Sequence, residues 1–151
     1  MSLTDRLPGV WRGHGEGHYP TIATFGYREE VTFARLGDKP IISYVQRTWH
    51  LDDGRPLHGE CGYLRLDGDR VELLIAQPTG FAEVHHGRDG GGVIDFGITA
   101  FGRSATALPV QTVRRRWAGE GDDLVVELWM SYSDVVDGHH LRAVLAPVTQ
   151  P

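Results

Sequence analysis

Apolar and polar side chains alternate with a period of two along much of this chain, the spacing that sends successive side chains to opposite faces of a strand. In the run Phe25 to Phe33, residues Phe25, Tyr27, Val31 and Phe33 fall on one face, and Arg28, Glu30 and Thr32 on the other. Val71–Ile75 and Leu124–Met130 are more continuously apolar, so they are expected to be among the better-covered strands. No segment shows sustained helical periodicity. Only the N-terminus, with Leu3 and Leu7 four apart, can form a short helical lid before Pro8 stops it. Turn signals punctuate the chain at Gly37-Asp38-Lys39-Pro40, Asp52-Asp53-Gly54-Arg55-Pro56, Asp67-Gly68-Asp69 and Pro78-Thr79-Gly80. They continue at Gly87 to Gly92, Gly119-Glu120-Gly121 and Asp137-Gly138. About ten strands lie between them, the regular spacing of an all-β sandwich or barrel.

A meander of that many strands must deal with its edges, and closure into an antiparallel up-and-down barrel removes them. A barrel of roughly ten strands encloses more space than its side chains fill, so a cavity suited to a small apolar ligand is expected. A packed β-sandwich without a cavity is the competing architecture. With 151 residues, 40% hydrophobic and 23% charged, the chain has the material for one domain spanning 1–151 with a real core. Fifteen basic against twenty acidic residues, net charge -5, argue against a nucleic-acid partner. No apolar run is long enough for a membrane helix, and Met1 to Pro8 lacks the build of a signal peptide. The lone cysteine, Cys61, excludes an internal disulfide framework and any CxxC motif. A reduced, cytoplasmic protein is expected, with Cys61 read as a small buried hydrophobe.

Eight histidines are the first candidates for chemistry: His14, His18, His50, His58 and the pairs His85-His86 and His139-His140. Adjacent strand residues face opposite ways, so neither pair can chelate one metal. His14 and His18 share a face but stand ~13 Å apart by strand rise. No Gly-x-Ser-x-Gly elbow is present, and Gly13-His14-Gly15-Glu16-Gly17 lacks the helix that a phosphate loop needs. Arg114-Arg115-Arg116 falls in a strand pattern that splits it across two faces, and a solvated face is its expected meaning.

Gly9-Val10-Trp11-Arg12-Gly13-His14-Gly15, followed by Tyr19-Pro20-Thr21-Ile22, resembles the G-x-W-x-G-x-G signature of the nitrobindin family. The likeness continues through Tyr27-Arg28-Glu29-Glu30-Val31, Lys39-Pro40, Tyr44, Gln46-Arg47-Thr48-Trp49 and Pro56-Leu57-His58-Gly59-Glu60. It runs on through Gly62-Tyr63-Leu64-Arg65, Val71-Glu72-Leu73, Ala76-Gln77-Pro78-Thr79-Gly80 and His140-Leu141-Arg142-Ala143-Val144-Leu145. It therefore spans nearly the whole chain in order. The resemblance implies an all-β barrel of about ten strands, lipocalin- or fatty-acid-binding-protein-like, with one haem b near its mouth. It implies His140 as the axial iron ligand and Leu57 and His58 on the distal side. Thr21, Tyr44 and Gln46 are expected to line the pocket. Gly9, Trp11, Gly13 and Gly15 read as scaffold: bare backbone allows a bent first strand, and Trp11 plugs the closed end. The run before the ligand, Val136-Asp137-Gly138-His139, departs from the family's Pro-Leu-Gln-Pro-like pattern and leaves His139 as a competitor for the iron.

What the resemblance implies for function is a ferric haem protein that binds nitric oxide and isomerises peroxynitrite to nitrate, with His140 and His58 as its catalytic pair. Such isomerisation needs no external reductant and no acid–base dyad, which suits a sequence that contains none. The rival reading is a haem-free carrier of a fatty acid or similar apolar molecule, since the same barrel supplies the same cavity. A protein-interaction module with a filled interior ranks last. Homo-oligomerisation, haem occupancy, the physiological substrate and a sensing against a scavenging role are left open by the residues.

Overall fold

The computed structural model describes residues 1–18, 23–132 and 135–149, with backbone alone at 132, 135–137 and 139. A single helical turn, α1 (Leu3–Arg6), precedes ten strands: β1 (Gly9–Gly17), β2 (Phe25–Arg35), β3 (Ile41–His50), β4 (Pro56–Asp67) and β5 (Arg70–Ala76). The others are β6 (Phe81–Arg88), β7 (Val93–Arg103), β8 (Val110–Glu120), β9 (Asp123–Tyr132) and β10 (Val135–Pro147). Each strand pairs antiparallel with its sequence neighbour, and β1 pairs with β10, so the sheet closes on itself. Closure leaves no edge strand, which is the expected barrel and not the sandwich.

Period-two alternation sets the inward faces. In β2 the buried positions are Tyr27, Glu29, Val31 and Phe33; in β3 they are Ile42, Tyr44, Gln46 and Thr48. The expected turns fall between strands, with left-handed backbone at Gly37, Gly68 and Gly121, where a side chain would be strained. Asp137-Gly138 is the exception. It lies inside β10 and not at a turn, and the β9–β10 register shifts between Val135 and Gly138 and again between His139 and Leu141. A glycine in a strand interior marks an irregularity as readily as a reversal.

One end of the barrel is plugged. Ser2 caps α1 by accepting from the Asp5 N–H, and Leu3 and Leu7 bury their side chains in the core with Trp11, Leu124 and Leu145. The Trp11 indole donates to the Leu7 carbonyl at 2.8 Å. Two further bonds anchor the plug to the turns around it: the Thr4 N–H to Asp89 Oδ2 at 2.8 Å, and Arg6 to the Gly121 carbonyl at 2.7 Å. The N-terminal turn thus serves as a lid on the closed end. Above the plug, Phe33, Tyr44, Phe96 and Trp117 form an aromatic layer with ring centroids 5.1 to 5.5 Å apart. No helix among the described residues is long and apolar enough to cross a membrane.

Candidate functional site

Between the aromatic layer and the opposite end of the barrel lies a cavity of about 1100 Å³. That is slightly above the ~300–1,000 Å³ usual for ligand pockets. Its mouth is lined by the apolar Phe25, Leu57, Phe81, Leu108, Met130 and Leu141, with the polar Thr24, Asp52, Arg55 and Thr79 among them. Tyr44, Gln46, Leu57 and His58, four of the residues singled out from the sequence, all line this one cavity. Thr21 lies outside the described residues.

His140 stands differently. It is 1% exposed, and the strand pairing passes from His139 opposite Trp129 to Leu141 opposite Leu128, so His140 is the extra residue of a bulge. Bulges re-aim side chains. Leu141, next to it, lines the cavity; His140 itself is not among the lining residues. Its Nδ1 lies 2.7 Å from the Gly138 carbonyl, and since a carbonyl only accepts, Nδ1 carries the hydrogen and Nε2 the lone pair. A ring N–H held by a backbone carbonyl is the usual second anchor of a metal-ligating histidine. The donor chemistry therefore fits a haem iron.

The middle of the cavity holds a polar network. Arg115, on β8, reaches Glu60 through Nη1 to Oε1 at 2.6 Å and Nη2 to Oε2 at 3.1 Å, and reaches Glu83 Oε2 at 3.1 Å. The Tyr44 hydroxyl donates to Glu60 Oε1 at 2.7 Å, and His58 Nε2 lies 3.2 Å from Glu60 Oε2. Behind them, Gln77 donates to Glu83 Oε2 at 2.5 Å and His85 Nε2 lies 3.1 Å from Glu83 Oε1. Burial alone would raise the Glu60 and Glu83 carboxyls, but the Arg115 charge outweighs it and holds both below the usual carboxylate range. Burial works against the guanidinium as well, and the two carboxylates overcome it and raise Arg115 further.

Glu29 goes the other way. Buried on the same wall and close to Glu60, it has one donor among the described residues, Gln46 Nε2 at 3.3 Å, and burial raises its carboxyl from 4.5 to about 7.

The sequence reading of this network needs correcting. Arg115 is not on a solvated face: it is 5% exposed inside the barrel, while Arg116 faces outward and Arg114 lies over the Trp129 ring at 3.9 Å. Cys61 is exposed, because Glu60 beside it takes the inward face. Glu29, Glu60, Glu83 and Arg115 were missed as a group, although each is in phase with inward apolar neighbours such as Val31, Leu64, Phe81 and Trp117. The same alternation could have flagged them individually. His85 and His86 do face opposite ways, one buried and one exposed, and no cluster of metal-binding side chains is found among the described residues.

Comparison with known proteins gives concordant results. The family model of the THAP4-like, heme-binding beta-barrel domain matches residues 2–146. A protein named peroxynitrite isomerase 1 from Rhodococcus jostii is 47% identical over 91% of this chain and 78% of its own length. One named peroxynitrite isomerase from Nocardia farcinica is 44% identical over 92% of this chain and 85% of its own. The crystal structure of Rv2717c from M. tuberculosis superposes with a TM-score of 0.87 at 38% identity, covering 97% of this chain and 95% of that one.

Proposed function

Because this chain belongs to the THAP4-like, haem-binding β-barrel family, the nitrobindins, we propose that it is a single-domain haem protein that isomerises peroxynitrite to nitrate and binds nitric oxide. The observation that carries the reading is the near full-length identity to relatives named for that activity, on a barrel with an open, largely apolar mouth. We assign the iron to His140 through Nε2, since the Gly138 carbonyl holds the other ring nitrogen. Bound haem would supply a Lewis-acidic iron. The chain supplies the surroundings. Phe25, Leu57, Phe81 and Leu141 would offer apolar surface to the macrocycle. His58, steadied by Glu60 at 3.2 Å, is the polar side chain we assign to orient the substrate. Rearrangement within one molecule needs no proton relay, and none of these residues has to act as acid or base. The lone cysteine supports a cytosolic setting for this chemistry.

The fatty-acid carrier fares worse. Arg115 is the one Arg or Lys buried among the described residues, and Glu60 and Glu83 already share its charge. Arg55, which also lines the cavity, is held by Asp53 at 2.6 Å, so a lipid carboxylate meets no unpaired cation among the described lining residues.

Titration of the purified chain with hemin, followed by ultraviolet–visible spectroscopy, tests the reading. A saturable Soret shift at one equivalent is expected, lost in His140→Ala and kept in His139→Ala, with faster peroxynitrite decay in stopped flow only for the loaded wild type. No Soret shift in the wild type would overturn the haem assignment; full hemin uptake by His140→Ala would overturn the ligand.

A further inference from the structure

Hydrogen-bond donors inside the barrel are shared unevenly. Tyr44, His58, His85, Gln77 and the two Nη groups of Arg115 all converge on Glu60 and Glu83. Among the described residues Glu29 receives only the Gln46 amide at 3.3 Å, and Gln46 Oε1 is buried with no hydrogen-bond partner. Both residues line the cavity, at 4% and 6% exposed. Buried acceptors without donors are costly, and both residues open onto the cavity, where an occupant can bring the donors.

We propose that the Glu29–Gln46 wall is a subsite for a primary ammonium group, carried on an apolar body that lies along the cavity toward the mouth. An ammonium presents three donors and one charge to a carboxyl and an orphaned carbonyl oxygen. An alcohol presents one donor, and a carboxylate none. Among the buried side chains described, Arg115 Nε is a donor left over, and its guanidinium charge is already divided between two carboxylates, so an anion gains little there. The apolar mouth residues then take the body of the ligand.

This subsite is separate from the level assigned to the iron. Leu141 pairs with Gly17, which pairs with Phe25. Glu29 lies four residues further along β2, roughly 13 Å deeper by strand rise.

Isothermal titration of the full chain with benzylammonium chloride, benzyl alcohol and sodium benzoate holds the body constant and changes only the head group. The work is done above the value of about 7 to which Glu29 is raised. Benzylammonium is expected to bind at one equivalent at least about tenfold tighter than the alcohol, with benzoate weakest. Glu29→Gln should remove most of that preference, and Gln46→Met should weaken the ammonium in the same way should Glu29→Gln fail to fold. Equal or tighter binding of benzoate, an unchanged preference in both variants, or no heat from any probe would overturn the subsite. None of these readouts depends on hemin uptake, so the result stands apart from the haem assignment.

Discussion

Glu29 is the residue whose environment has the clearest measurable consequence. Burial raises it from 4.5 to about 7, the nearby Glu60 adds to this, and Gln46 and Arg115 oppose it; the Tyr44 hydroxyl also feels its charge. In the unfolded chain the carboxyl titrates near its ordinary value, so between those limits the folded state holds a proton the unfolded state has lost. The stability contributed by neutral Glu29 is therefore complete below the lower value and lost as pH rises through the upper one. Glu29→Gln has no charge to bury. Relative to wild type it should gain stability across that interval, from 4.5 to about 7, by up to about 3 kcal/mol, and level off above it. Urea unfolding of both proteins at a series of pH values checks this, and a gap that stays flat through neutrality would show that Glu29 is ionised throughout. Glu60 and Glu83 behave oppositely: Arg115 keeps them charged, so their contribution is lost toward acid pH.

Two strands set the geometry of the closing seam. β1 approaches β10 so closely that a Cβ on Gly13 would collide with the Val144 carbonyl, and one on Gly15 with the Tyr27 ring and the Arg142 carbonyl. Backbone cannot step aside as the end of a flexible side chain can. Gly13→Ala is expected to cost at least about 2 kcal/mol. Gly97→Ala, on β7, where nothing lies within 4 Å of the added atom, should be near neutral. Thermal unfolding of the pair decides it; equal midpoints would mean the seam yields. The bulge in β10 is the other feature of this seam. Without it His140 would fall into strict alternation between His139 and Leu141; with it His140 sits buried beside a cavity-lining residue.

At the scale of the whole molecule the barrel is sealed at one end and open at the other, and the seal is held by long-range contacts of a four-residue helix. Leu7 is fully buried in the core cluster, so its truncation would leave a void. Leu7→Ala should destabilise by about 2–5 kcal/mol, yet leave hemin stoichiometry intact because the mouth lies at the far end. A loss of hemin binding at temperatures where the variant is folded would show that the two ends are coupled. Much of this architecture is legible in the residues alone. The alternation in Phe25–Phe33, the glycine turns and the Leu3–Leu7 spacing are local properties, since side-chain direction and turn conformation depend on near neighbours in the chain. They determined the strands, most of the reversals and the plug, and the ordered motifs from Gly9 to Leu145 determined the family. Alternation also assigns Glu29, Glu60, Glu83 and Arg115 an inward face, but says nothing of which inward residues meet. That was decided by closure of the sheet, which brings Arg115 against carboxylates 55 and 32 positions away in the chain. Register irregularity is equally non-local: Asp137-Gly138 reads as a turn in isolation, and only pairing with β9 makes it the approach to a bulge. Local periodicity specifies a face, and tertiary pairing specifies a neighbour, because the stagger between strands is set by the whole ladder and not by any one segment.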